Sequence, residues 1–159
     1  MRSFIWFILT LLLVGLASAQ ATDSESATIS ADVIAALSLA KSQDLSFGDV
    51  AQNTTSTIAV TDGGVVKFTI TGEPSKNITF TLTVPANLTD GSANTLPFTD
   101  DIQYNTADDA GTASNLNDGA TIAINGTGNL YVYLGGEVTA GGAQVTGSYT
   151  GTYTVKVDY

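Results

Sequence analysis

Residues 147–159, GSYTGTYTVKVDY, alternate between two kinds of side chain along the whole stretch. One parity carries glycine, tyrosine and valine, and the other carries serine, threonine, lysine and aspartate. Successive side chains of a β-strand point to opposite faces of a sheet, so the stretch is predicted to form a strand with one buried and one hydrated face. The side chains expected on the buried face are Tyr149, Tyr153, Val155, Val157 and Tyr159.

The same alternation recurs upstream, between short turn sequences. Residues 77–84 (NITFTLTV) show it most clearly, and Pro85 ends that strand because proline cannot donate a hydrogen bond to a ladder. Residues 57–61 and 65–71 alternate on either side of an Asp-Gly-Gly turn at 62–64, which predicts a hairpin. Further short strands are expected at residues 102–104, 120–124, 129–134 and 137–139.

About eight or nine short strands with frequent turns indicate an all-β protein. No βαβ rhythm and no long helical period is present, which argues against a parallel sheet. We therefore expect residues 27–159 to form a single domain, an antiparallel, immunoglobulin-like β-sandwich.

The first residues have the features of a secretion signal. Arg2 supplies a positive charge, residues 4–16 are almost entirely apolar, and residues 17–19 (ASA) are the small residues of a cleavage site. Residues 1–19 are therefore predicted to be a signal peptide that is removed, which leaves a flexible leader at residues 20–26. An uncleaved membrane anchor is the alternative, although a spanning helix usually needs about 20 apolar residues. Export to the periplasm, the cell surface or the extracellular space follows from this prediction.

Residues 29–39 form a second alternating stretch, near the N-terminus. They are predicted to be a long strand, although the alanine-rich part at 33–40 also fits one or two helical turns. A long unpaired strand edge promotes aggregation, so a pairing partner is expected. Either the two terminal strands complete one sandwich within the chain, or the N-terminal strand is donated to a neighbouring molecule. The residues expected on the interaction face of this strand are Ile29, Val33, Leu37 and Leu39.

Composition and charge argue against several classes of function. The chain has no cysteine and no histidine, and its one arginine is Arg2, so the commonest general base, the thiol nucleophile and the usual zinc ligands are missing. Without Arg2, four lysines remain against fifteen carboxylates, a net charge of −11. Nucleic acids and anionic lipids favour basic surfaces, so neither is expected as a partner, and the membrane is met only during export. We predict that the chain is not an enzyme.

Oxygen ligands that suit calcium are concentrated between residues 100 and 118. The region lacks the D-x-[DN]-x-[DN]-G frame of a calcium-binding hand, and a solvated loop of turn-forming residues is the alternative. Four Asn-x-Thr triplets are acceptors for N-glycosylation only in a host that carries out this modification. The candidate calcium ligands are Asp100, Asp101, Asp108, Asp109 and Asp118, and the triplets begin at Asn53, Asn77, Asn87 and Asn125.

Residues 129–159 resemble the C-terminal part of a family of secreted bacterial proteins, domain of unknown function 4402. In that family a Gly-Gly turn follows an apolar strand, as at Gly135-Gly136, and a G-x-Y-x-G-x-Y-x-V-x-V-x-Y pattern ends the chain. Phe47-Gly48 is similar to the family's early motif, and the likeness covers most of residues 27–159. The final pattern matches at Gly147, Tyr149, Gly151, Tyr153, Val155, Val157 and Tyr159.

The ending is also similar to that of spore coat protein U and of chaperone–usher pilins, although the chain lacks the pilin disulfide. In pilins this resemblance implies an incomplete sandwich, which the N-terminal strand of another subunit completes. The first functional hypothesis is therefore a secreted, non-enzymatic structural or cell-surface protein, a coat, matrix or fimbria-like component that assembles with itself or a related subunit. The alternative is a soluble adhesin module that binds carbohydrate or calcium.

Overall fold

The computed structural model describes residues 22–159, and every strand pairing within them is antiparallel. The all-β, antiparallel prediction is confirmed, and the described residues contain ten strands and one short 3-10 helix (Ala110–Thr112). The strands are β1 (Ser38–Lys41), β2 (Thr54–Ile58), β3 (Val66–Thr71), β4 (Asn77–Thr83), β5 (Asn87–Thr89), β6 (Thr95–Asn105), β7 (Ser114–Asn115), β8 (Thr121–Ala123), β9 (Asn129–Ala140) and β10 (Thr154–Asp158).

The chain divides into two units, Met1–Asp32 and Val33–Tyr159. The predicted signal peptide at residues 1–19 lies outside the described residues. Residues 22–32 are exposed and contain neither strand nor helix. Within residues 22–159 no helix is long and apolar enough to cross a membrane.

β9 is the central strand of a seven-stranded sheet that curls into a half-barrel. One edge of β9 pairs with β6, and the other edge pairs first with β3 and then with β2. β1 extends the sheet beyond β3, while β5 and β7 both pair with β6. The long central strand thus aligns most of the strands of the larger sheet.

The predicted hairpin at residues 57–71 is wrong, although its turn forms. The amide of Val65 donates to the carbonyl of Asp62 across this turn (3.2 Å). β2 and β3 do not pair with each other, because β2 lies opposite residues 136–140 of β9 and β3 lies opposite residues 129–134. β2 and β3 therefore follow one another along the same edge of β9, and the turn connects them without forming a hairpin.

The predicted break at Gly135-Gly136 is also wrong, because both glycines lie inside β9. The expected strands at 129–134 and 137–139 are one strand of twelve residues. Gly135 faces the point where the chain leaves β2, and a Cβ placed on it would lie 2.2 Å from the carbonyl oxygen of Ile58. Because glycine has no side chain, β9 continues through this crowded contact with the end of β2 without a turn.

The smaller sheet has three strands in the order β10-β4-β8, and it packs against the larger sheet across the main core. β4 shows the predicted alternation, since Ile78 and Phe80 are fully buried and the threonines of the opposite parity are exposed. Burial of each such side chain contributes about 1.5–3 kcal/mol to the free energy of folding. The main core consists of Val66, Phe68, Ile70, Ile78, Phe80, Ile102, Leu116, Ile124, Leu130, Val132, Leu134 and Val155.

Residues 86–119 contain more strand than the short segment predicted at 102–104. The expected strand at 102–104 is the end of β6, an eleven-residue strand that pairs with three others. Its inward parity runs through Leu96, Phe98, Asp100 and Ile102. Asp100 interrupts the apolar pattern, and for this reason the strand predicted from the sequence was too short.

Both terminal strands are shorter than predicted. In residues 29–39 only Ser38 and Leu39 belong to a strand, β1, which continues to Lys41. In residues 149–159 only Thr154–Asp158 is a strand. The alternation in the sequence therefore extends beyond the backbone pairing at both ends of the described chain.

Candidate functional site

The residues predicted for N-terminal interaction lie in two different environments. Leu37 is partly buried against the main core, and Leu39 lies in β1 opposite Ile70. Ile29 and Val33, in contrast, are 96% and 98% exposed. Only the last two residues of the alternating stretch therefore belong to a strand within the chain.

Three hydrogen bonds hold the backbone just before β1. The hydroxyl of Tyr159 donates to the carbonyl of Ala35 (2.9 Å) and accepts from the amide of Glu73 (2.7 Å). The Glu73 carboxylate in turn accepts from the amide of Ala35 (2.8 Å). These three residues, which we call the C-terminal clasp, satisfy both polar backbone groups of Ala35.

Gly72 makes room for the clasp. A Cβ at this position would lie 2.5 Å from the hydroxyl oxygen of Tyr159 and 2.8 Å from Cδ1 of Ile124. Ordinary contacts between such atoms are about 3.5–4.0 Å, so a side chain here would displace the tyrosine. The close approach of Tyr159 to the β3–β4 turn thus depends on glycine.

The C-terminal stretch buries part of the face that the sequence predicted, whereas Tyr159, which was expected on that face, is 44% exposed. Val155 is buried, and Tyr153 and Val157 are partly buried against the main core. Upstream of β10, Thr150 forms an isolated bridge with Thr89 at the end of β5, with N–H···O distances of 2.8 and 2.9 Å. The stretch 149–159 therefore pairs with the larger sheet at its start and with the smaller sheet at its end.

β10 has one free edge in the part of the chain that the structure describes. It pairs with β4 over five residues on one side, and it is the last strand of its sheet on the other. An edge strand of this kind presents unpaired amides and carbonyls that can bind another strand. The ion pair between Lys156 and Asp158 lies on the exposed face of this strand.

A cavity of about 770 Å³, lined by apolar and polar residues and open to solvent, lies at the curl of the half-barrel. Leu96 and Phe98 of β6 and Val138 and Ala140 of β9 form a second, smaller core cluster along its wall. Two segments without regular structure, residues 45–52 and 144–153, line the opposite side. Further lining side chains are Leu45, Phe47, Val50, Leu88, Tyr149 and Tyr153.

Each candidate calcium ligand already accepts a hydrogen bond from the protein. Asp100 accepts from Tyr153, Asp101 from Gln103, Asp108 from Lys67 and Tyr133, Asp109 from Gly111 and Thr112, and Asp118 from the amide of Leu82. Among residues 22–159 no group of three or more carboxylates is placed to hold a metal ion. Calcium binding stays a prediction, and these contacts show instead how the carboxylates stabilise turns and strands.

Asp108 joins the 3-10 turn region to the larger sheet. Lys67 Nζ lies 2.9 Å from Asp108 Oδ2, and the hydroxyl of Tyr133 donates to Asp108 Oδ1 (2.9 Å). The hydrogen bond from Lys67, followed by that from Tyr133, lowers the pKa of Asp108. Burial, followed by the hydrogen bond to Asp108, raises the pKa of the Tyr133 phenol well above its usual value.

Tyr153 and Asp100 form a similar pair at the cavity. The Tyr153 hydroxyl donates to Asp100 Oδ2 at 3.1 Å, which accounts for an aspartate on the inward parity of β6. Burial of the ring, followed by the negative charge of Asp100, raises the pKa of the Tyr153 phenol. Both phenols are therefore held in their neutral form.

We expect the free energy of unfolding to fall as the pH rises above about 10. Both phenols stay protonated in the folded state, while the unfolded chain ionises near the ordinary tyrosine pKa of about 10. The unfolded state then binds fewer protons, so stability is complete below this pKa and is lost above it. Urea unfolding between about pH 8 and 11 measures the slope, which should be shallower in Tyr133→Phe and in Tyr153→Phe. An equal slope in both variants and the parent chain would contradict the assignment.

The Asn-x-Thr triplets lie in different local structures. Asn53 is exposed in a turn with a positive φ of 59°, and Asn77 and Asn87 are exposed at the starts of β4 and β5. Asn125 is half-buried, and its side-chain oxygen accepts hydrogen bonds from Thr127 and Asn129. Asn125 is thus a structural turn residue, whereas the other three side chains face solvent.

Several residues of this site were not identified from the sequence. Glu73 and Gly72 lie in a turn sequence whose only signal was its polarity, and their role depends on contact with a residue 86 positions away. Leu45, Phe47 and Val50 line the cavity, and the alternation of Leu45 with Phe47 is the one signal that could have indicated an inward face. Sequence alternation identifies the side that is buried, but not the partner that buries it.

Comparison with curated proteins and with solved structures returns no match. Comparison with protein families matches residues 63–159 to the model described as "Domain of unknown function (DUF4402)". The matched residues include both long strands of the larger sheet, the cavity wall of β6 and β9, and the whole C-terminal stretch, whereas Phe47-Gly48 lies before them. The chain therefore belongs to the DUF4402 family.

Proposed function

We propose that the chain is an exported, non-enzymatic structural protein of the cell surface that assembles with further copies of itself. The observation that carries the proposal is the exposure of Ile29 and Val33, two apolar residues of one parity in a stretch that belongs to no strand. Apolar side chains that are exposed next to one another form a patch, and such patches commonly mark interaction surfaces. Export is supported by the sequence of residues 1–19.

The open edge of β10 is the proposed acceptor for this segment. A strand added there would form main-chain hydrogen bonds, and its alternating apolar side chains would give the pairing its register. The two-sheet core would then be an immunoglobulin-like sandwich extended by a strand from a neighbour. Such pairing, repeated from molecule to molecule, yields a fibre, coat or matrix, because the donor and acceptor surfaces lie at different places on each copy.

Replacement of both apolar residues tests the proposal. In the exported protein, Ile29→Asp combined with Val33→Asp should abolish the oligomers seen by size exclusion and electron microscopy, because carboxylates cannot enter an apolar interface. The folded core should be unaffected, since both residues are fully solvated in the isolated chain.

Thr28→Asp combined with Ser30→Asp is the matched control, because it adds the same two charges on the opposite parity of the same segment. Oligomers should persist in this control. A parent chain that stays monomeric at every concentration, or assembly that survives in the first variant, would contradict the proposal. A monomer that binds glycans would support the alternative of a soluble adhesin.

A further inference from the structure

The cavity of the half-barrel is the largest feature that assembly through β10 leaves unexplained. It lies beside the second core cluster, where the curled sheet is covered by residues 45–52 and 144–153 and not by the smaller sheet. Protein interiors are close-packed, with few voids larger than a water molecule. A solvent-accessible space of about 770 Å³ is instead within the range of small-molecule pockets, which often lie in the mouths of β-barrels.

The segments that cover the cavity contact its wall and each other at specific points. Phe47 packs edge-on against Phe98, with ring centroids 6.2 Å apart. The side chain of Gln52 donates to the carbonyl of Gln144 (2.6 Å), and Gln144 donates to the carbonyl of Thr95 (3.0 Å) and to the hydroxyl of Tyr149 (2.8 Å). These hydrogen bonds join the two segments to each other and to β6, so the space is a preformed site.

The lining indicates the chemistry of the ligand. Asp49 is the one charged residue among the residues that line the cavity in the described part of the chain, and no lysine lines it. The two phenols within it already have acceptors, since Tyr149 donates to the carbonyl of Val145 and Tyr153 donates to Asp100. These described lining residues therefore offer no cationic side chain to an anionic ligand. The protons of both phenols already have acceptors within the protein.

We infer that the half-barrel cavity binds one neutral, apolar small molecule. Burial of the ligand's apolar surface against the partly exposed side chains of Leu45, Phe47 and Val50 provides the driving force, at about 25 cal/mol for each Å² removed from water. An anionic relative of the same shape is disfavoured, because its charge would be transferred towards carboxylates without a counter-ion. This inference does not rest on the proposed assembly.

Two dyes of matched shape test the ligand class. N-phenyl-1-naphthylamine is neutral, and 8-anilino-1-naphthalenesulfonate is the same skeleton with one sulfonate. In fluorescence titrations of the exported, processed protein, the neutral dye should bind saturably with one site per chain and at least about ten-fold more tightly than the sulfonate. Absence of saturable binding, or equal affinity for both dyes, would overturn the inference.

Variants of the lining locate the dye. Val50→Asp places a carboxylate in the wall and should weaken binding of the neutral dye at least about ten-fold, whereas Val84→Asp, at an exposed position outside the lining, should not. Ala140→Leu adds volume to the cavity wall without adding charge, and it should weaken binding while the protein stays folded. This second variant keeps the test valid if Val50→Asp fails to fold. Binding that is unchanged in both lining variants would overturn the inference.

The assembly variants separate this inference from the proposed function. The Ile29→Asp, Val33→Asp chain should still bind the neutral dye with unchanged affinity, even though it no longer assembles. If assembly of the parent chain expels the dye, the cavity is occupied by a segment of a second copy, and the small-molecule inference is wrong. If the parent chain itself binds the dye but never assembles, the proposed function fails and the cavity site stands.

Discussion

Replacement of Gly135 by alanine is expected to lower the free energy of unfolding by about 3 kcal/mol, the upper part of the usual range for overpacking. The added Cβ would lie 2.2 Å from the carbonyl oxygen of Ile58 and 3.2 Å from the amide nitrogen of Val60. Both neighbours are backbone atoms, which cannot move aside by changing a rotamer. Relief requires β2 and β9 to separate at the point where β2 ends.

Gly141→Ala is the matched control for this prediction. No heavy atom lies within 4 Å of a Cβ at Gly141, so the substitution should change stability by less than about 0.5 kcal/mol. Urea unfolding of the two variants and the parent chain measures the difference. Equal unfolding midpoints for Gly135→Ala and Gly141→Ala would show that the contact between Gly135 and the end of β2 is looser than the structure indicates.

Local alternation in the sequence was sufficient to identify which residues face inward. Ile78 and Phe80 in β4, and Val155 in β10, are buried as their parity predicted. The reason is physical: once a segment is extended, its side chains must alternate, and only one face can be withdrawn from water. The information needed for this step is contained within a few neighbouring residues.

The same patterns did not predict which strands pair with each other. An Asp-Gly-Gly turn between two alternating runs usually reverses the chain, yet β2 and β3 both pair with β9 instead. Likewise, the pair Gly135-Gly136 was predicted to be a turn, because glycine alone does not distinguish a turn from a crowded strand crossing. In both cases the outcome depends on a contact with a strand that is distant in the chain.

The candidate site was predicted in part. The two alternating terminal stretches were identified, but the division at Ala35 depends on the clasp, which forms between the two ends of the described chain. The cavity could not have been predicted, because it results from the curl of the larger sheet and from segments at 45–52 and 144–153 that carry little periodicity. A carboxylate such as Asp100 was interpreted as a metal ligand, since its phenol partner lies 53 residues away.

Tyr159→Ala is expected to lower the free energy of unfolding by about 3 kcal/mol. The loss combines two hydrogen bonds, worth about 1 kcal/mol each, with about 1 kcal/mol for a ring that is 44% exposed. Tyr159→Phe keeps the ring over Gly72 and removes only the hydroxyl, so about 2 kcal/mol should be lost in that variant.

The clasp also predicts where the damage from these variants should appear. Without the hydroxyl, the carbonyl of Ala35 loses its donor and the segment before β1 loses one of its attachments, so amide hydrogen exchange should accelerate in Ser38–Lys41 before it does in β9. Glu73→Ala removes the acceptor for the Ala35 amide and should accelerate exchange in the same strand. Uniform acceleration across β1 and β9 would mean that Tyr159 supports the core as a whole. Unchanged exchange in β1 would mean that the N-terminal segment is held in place without the clasp.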